Sequence, residues 1–185
     1  MNYASQDLRN EHEGILFGLE ILKIMVQQIQ SSHKIERTDI TGMIGFLKLF
    51  ADKCHHGKEE ELFFPSLERV GNQNSNSLIK EMLLEHTEGR KYIIEMQESV
   101  GGVFKAKDFI EAASNYARLL HSHIEKENNI LFPIADEIIP ADKQIELSEL
   151  FMKFEEDVMG KGTHEKLHKM LDAFELKYLA KQIEE

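Results

Sequence analysis

The segment His55-His56-Gly57-Lys58-Glu59-Glu60-Glu61-Leu62-Phe63-Phe64-Pro65 recurs, with changes, as His123-Ile124-Glu125-Lys126-Glu127-Asn128-Asn129-Ile130-Leu131-Phe132-Pro133. Each copy keeps a histidine, a lysine three residues on, a glutamate four on, and Phe-Pro nine and ten on. On a helix, residues at i and i+4 lie one above the other on the same face. Each copy therefore presents an imidazole and a carboxylate together. Two such pairs facing one another describe a two-metal site, and that duplication constrains the chain more than any bulk property.

Periodicity makes the chain all-α. It has three prolines, few β-branched alternations and long runs of apolar residues at three-four spacing. A first helix is expected from about Asp7 to Gln30, with Leu8, His12, Ile15, Leu19, Leu22, Val26 and Ile29 on one stripe. A second follows Thr38 or Asp39 as cap and carries Ile40, Ile44, Leu47, Ala51, His55, Glu59 and Leu62, until Pro65 kinks or ends it. Gly71 to Ser77 reads as a polar loop. The third helix places Ile79, Met82, His86, Gly89, Ile93 and Met96 in register and stops at Gly101-Gly102. The fourth opens with a capping box, Asp108 and Glu111, and runs through Tyr116, Leu120, His123 and Glu127 to Pro133. A further helix spans about Ala141 to Met159. Gly160-Lys161-Gly162 then breaks the pattern, and Thr163 caps a last segment with Leu167, Leu171, Phe174 and Tyr178 on one face.

The first two helices thus repeat as the third and fourth, down to Glu11-His12 against Glu85-His86. Four helices with short connections are expected to pack as an up-down-up-down bundle whose sites face the axis. The expectation is one domain over residues 1–185, the bundle filling about 5–135 and a helical extension about 140–182.

Each stripe is interrupted by a histidine, joined by a glutamate on the second and fourth helices. Burying four imidazoles and two carboxylates together costs on the order of several kcal/mol per unpaired charge. A metal ion removes that cost, because neutral imidazole and ionised carboxylate are the ligands it takes. A structural zinc of the cysteine type is disfavoured, since Cys54 is the only thiol. Imidazole with carboxylate suits iron, manganese or zinc. Two histidines and two bridging carboxylates per ion leave an open position, which favours a redox pair of irons. The ferritin-like alternative needs Glu-x-x-His from two helices; that spacing occurs once, at Glu165 and His168.

His12, His55 with Glu59, His86, and His123 with Glu127 resemble the hemerythrin-like (HHE cation-binding) family over about residues 7 to 135. The Cys54-to-Glu60 and Phe-Pro segments carry the likeness. The resemblance implies a non-haem di-iron centre bridged by Glu59 and Glu127. The internal repeat pairs His12 and His55 on one ion, and His86 and His123 on the other. The oxygen carriers of that family take two histidines four residues apart from the third helix. Here Arg90 stands four after His86, so one ion is an imidazole short. His56, His121, His164 and His168 are the candidates to supply it. His164, in register with Leu167 and Leu171 just after the glycine break, is taken as the seventh metal ligand. His56 and His121 point roughly 100° and 200° away from their neighbouring ligands on a helical wheel, and are read as supporting or surface residues. Glu60, Glu61 and Glu125 read as a solvated acidic face, and Cys54 as core filler.

The net charge of −11 argues against nucleic acid or an anionic membrane as partner. The start of the chain lacks a basic-then-apolar leader, no apolar run approaches about 20 residues, and one cysteine fits a reducing compartment. The expectation is a cytoplasmic metal protein that binds or senses O2, NO, peroxide or iron. Its enzymatic counterpart would remove peroxide or NO, or repair iron centres, while a helical adaptor stapled by inert ions is the structural alternative.

Overall fold

Leu8, Ile15, Leu19, Leu22 and Met25 recur at helical spacing along α1 (Ala4–Gln30), and all are fully buried. The same logic builds the rest of the computed structural model, which describes residues 3–179 and contains no strand among them. After α1 come α2 (Arg37–Phe46), a π-helical stretch π1 (Leu47–His56), a second, π2 (Glu59–Phe63), and α3 (Phe64–Val70). Then follow α4 (Gln73–Val100), α5 (Ala106–Lys126), π3 (Glu127–Leu131) and α6 (Phe132–Ile138). The tail consists of α7 (Ala141–Met159), α8 (Thr163–Phe174) and π4 (Glu175–Leu179). Residues 180–182 of the expected extension lie outside the described residues.

The fold is an all-α bundle. α1 packs on α5 and on π1, and α4 packs on α5, α2 and π1. The tail covers the side formed by α1, α2, π1 and π2: α7 lies on α1, π1 and π2, α8 on α1 and α2, and π4 on α1. Leu147, Phe151, Leu171, Phe174 and Tyr178 are buried there. Asp39 anchors the far end, accepting from Lys177 Nζ at 2.6 Å and from the Tyr178 hydroxyl at 2.5 Å.

Several local expectations are corrected. Neither Thr38 nor Asp39 caps α2: the cap position is Glu36, without a side-chain bond, and Asp39 is engaged by the tail. α5 opens at Ala106 behind Lys105, so Asp108 and Glu111 form no capping box. The capping box belongs instead to α4, where Asn72 and Ser75 exchange side-chain bonds, and the expected loop through Ser77 shrinks to Gly71 and Asn72. Gly162, at φ 75°, precedes α8, and Thr163 is its first residue. Pro65 and Pro133 do not end their helices. Each sits in the first turn of a short continuing α-helix, where a missing N–H is tolerated.

The buried apolar side chains form two clusters. Ile15, Cys54, Ile93 and Leu120 belong to one, and Leu8, Phe63, Met82 and Leu131 to the other. Along each of the four stripes the change of cluster falls at the stripe histidine or at the glutamate four residues after it. The polar site is the partition between two apolar halves.

Candidate metal centre

His12, His55, His86, His123, Glu59 and Glu127 converge in that partition, each no more than 1% exposed. They are joined by His56, itself 2% exposed. The ligand atoms form two groups, each within 4.8 Å: His12, His55, Glu59 and Glu127 in one, and His56, Glu59, His86 and His123 in the other. Glu59 spans them, with Oε1 at 3.5 Å from His55 Nε2 and Oε2 at 3.4 Å from His86 Nε2. Glu127 Oε2 stands 3.3 Å from His12 Nε2 and 3.2 Å from His123 Nε2. The two carboxylates therefore reach from one group to the other, and the four stripe histidines divide as the internal repeat divides them, with His56 crossing to the His86 group.

His56 is the residue that helical-wheel reasoning misplaced. A helix bonded i→i+5 turns through fewer degrees per residue than an α-helix, and π1 ends at His56. Consecutive His55 and His56 can then both reach the interior. The His56 ring stacks on His86 at 3.8 Å between centroids. The repeat held a signal for this, because His56 aligns with Ile124, a buried core residue. π2 and π3 begin at Glu59 and Glu127 in both copies, and π-turns of this kind gather at functional sites.

The imidazoles are steered from behind. His55 Nδ1 lies 2.9 Å from Glu11, and His123 Nδ1 lies 2.9 Å from Glu85. His86 Nδ1 lies 2.8 Å from Glu60, and His12 Nδ1 lies 2.8 Å from Asn128. Such partners fix the tautomer and turn Nε2 into the cluster. The lysine of each repeat completes the set: Lys58 donates to Glu11 at 2.5 Å, and Lys126 donates to Glu85. Glu60 is thus not part of a solvated face; Arg90 binds it at 2.6 Å and Asp52 at 2.7 Å. Glu61 and Glu125 are exposed, as expected. Phe132 stacks on His12 at 5.5 Å and Phe64 on His86 at 5.9 Å, lining the site with rings.

Electrostatics describes a site built for cations. Burial, with His12 and His56 nearby, holds His55 well below the usual imidazole range, and burial beside His86 brings His56 down to about 3. His123 is the exception: burial opposes its charge, but Glu127 and Glu85 outweigh it and raise it to about 9. Burial next to Glu127 drives the Glu59 carboxyl well up. For Glu127 burial is overcome by His123 and His12, which hold it well below the carboxylate range. Protein groups leave His12 Nε2, His55 Nε2, both His56 nitrogens and all four carboxylate oxygens of Glu59 and Glu127 without a hydrogen-bond partner. Buried polar atoms rarely stay unpartnered. A cluster of them converging in two groups fits divalent cations held by imidazole and carboxylate.

His164 is not brought to this cluster. α8 is one layer out, and Glu155, Lys58 and Glu11 stand in series between His164 and His55. His164 Nδ1 is 2.7 Å from Glu155, its Nε2 is 2.7 Å from His168, and its side chain is 37% exposed. His121 is exposed on α5 beside Glu20. Cys54 is fully buried, and burial pushes its thiol up to about 12, as a core residue rather than a reactive one.

Among protein families, the model of the hemerythrin HHE cation binding domain matches residues 4–135. No curated protein and no solved structure matches the chain.

Proposed function

The chain belongs to the hemerythrin HHE cation-binding family, and from that premise we propose that it holds two non-haem iron ions, with Glu59 and Glu127 as the carboxylates that would reach both, and that it binds or senses O2, NO, peroxide or iron. The observation that carries this is the set of unpartnered buried nitrogens and carboxylate oxygens arranged in two groups that share Glu59. When bound, iron would supply reversible electron transfer and a position for a diatomic or peroxide ligand. Zinc or manganese could occupy the same donors.

The chain's own residues do the rest. Glu11, Glu85, Glu60 and Asn128 orient four of the imidazoles, and Phe63, Phe64 and Phe132 keep bulk water from the partition. His56 supplies the imidazole that Arg90 cannot, so the His86 group has three imidazoles and the His12 group two. An ion held by His12, His55 and the carboxylates would have fewer protein donors, and so would supply the place for an exogenous ligand. The lone buried Cys54 suits a reducing compartment, and we assign the protein to the cytoplasm.

Metal analysis of aerobically purified protein, with visible spectra before and after peroxide, tests this reading. Two irons per chain and an oxo-bridge charge-transfer band are expected. A single stoichiometric colour change supports the sensor. Sustained peroxide loss favours a detoxifying di-iron enzyme, and zinc alone removes the redox role.

A further inference from the structure

A second pair of histidines lies outside the buried centre. His164 and His168 stand at i and i+4 on α8, their rings near-parallel at 4.7 Å and 11°, with the two Nε2 atoms 2.7 Å apart. Phe50 meets both rings edge-on, at 5.3 and 6.4 Å between centroids, and so fixes the base on which they rest. Glu155, reaching over from α7, accepts from His164 Nδ1 at 2.7 Å. It does for His164 what Glu11 does for His55: it sets the tautomer that leaves the lone pair on Nε2, turned towards His168.

We propose that His164 and His168 form a separate, peripheral site for one divalent transition-metal ion of the copper, zinc or nickel class, with solvent completing its shell. Imidazole nitrogen is the donor these ions take, and copper takes it most strongly. Two such donors on one tetrahedral ion with bonds of about 2.0 Å stand roughly 3.3 Å apart. A small rotation of either exposed ring opens the present 2.7 Å to that separation. Access is open. The site borders a surface cleft of about 530 Å³ that Glu11, Glu149 and Glu155 line together with His164, in a chain of net charge −11. The alternative occupant of the two nitrogens is a single shared proton. The proposal stands apart from the reading of the buried centre, since its two imidazoles belong to neither buried group.

Titration of the full chain with Cu²⁺ alone, followed by electron paramagnetic resonance, tests it. The expected signal shows coupling to two imidazole nitrogens. It should persist in a His55→Ala/His123→Ala double variant, which takes an imidazole from each buried group, and be lost in His168→Ala, with affinity at that site falling about tenfold or more. His168 is exposed, so that variant is expected to fold. Glu155→Gln should weaken the same signal without abolishing it. Identical copper spectra and affinities in the wild type and His168→Ala would overturn the proposal, as would a wild-type pair that takes up a proton and no copper.

Discussion

Replacing Lys58 with methionine removes one charge while keeping most of a side chain whose ammonium lies 5.9 Å from the Phe151 ring centre. Lys58 is 2% exposed and donates to both Glu11 and Glu155, at 2.5 and 2.9 Å. Without it Glu11 loses the cation that offsets its burial, which already raises its carboxyl. Stranding a buried charge in this way costs about 3–5 kcal/mol. For a chain of this size that is roughly 6–20 °C in Tm. The repeat provides its own control. Lys126 makes the equivalent contact with Glu85, but its side chain is 23% exposed and its second partner, Glu81, is 51% exposed. Pairs of that kind are worth about 0–1 kcal/mol, so Lys126→Met should shift Tm by less than about 4 °C. Thermal melts of the metal-free full chain at neutral pH, read by circular dichroism, compare the two. Adding Glu11→Gln to Lys58→Met should restore part of the loss by removing the stranded charge. Equal shifts in the two lysine variants, or no recovery in the double variant, would refute the reasoning.

His56→Ile, which installs the residue of the second repeat, should lower metal content yet leave the metal-free protein about 1–3 kcal/mol more stable, because a buried imidazole without partners is gone. Metal analysis beside denaturant unfolding checks both halves. At Gly18 an added Cβ would fall 2.5 Å from Phe46 Cε1, in a ring stacked on Phe50. Gly18→Ala should therefore cost about 1–3 kcal/mol by overpacking, whereas Gly45→Ala, with nothing within 4 Å, should gain up to about 1 kcal/mol from helix propensity. The same unfolding assay decides. The His164–Glu155 contact should impose a pH window. Glu155, brought down to about 2 chiefly by His164, contributes stability above its ordinary 4.5 that is lost as pH falls towards 2. His164, raised chiefly by Glu155, contributes fully below its ordinary 6.5 and loses that as pH rises through its raised value. The Tm difference between wild type and His164→Gln should peak between pH 4.5 and 6.5; a difference independent of pH would contradict the contact.

Most of the buried centre was legible without coordinates. His12, His55, Glu59, His86, His123 and Glu127 each interrupt an apolar stripe, and a stripe faces the core whatever the details of packing. The supporting residues were half visible: the lysine three after each histidine is part of the repeat, and Glu11 precedes His12 as Glu85 precedes His86. Their task is a contact between different helices, which spacing along one helix does not specify.

Sequence by itself determined the helical class, the duplication and the six stripe residues that meet in the buried cluster, because periodicity and repetition are local properties of the chain. Tertiary structure decided the rest. Helical geometry at π1 turned His56 inward, where a uniform 100° step per residue had pointed it away. Packing of α8 onto α1 and α2 kept His164 in an outer layer and gave it His168 and Glu155 as partners instead. Both outcomes depend on which backbone bonds close and which surfaces meet, and those are settled only when the helices compete for the same buried space.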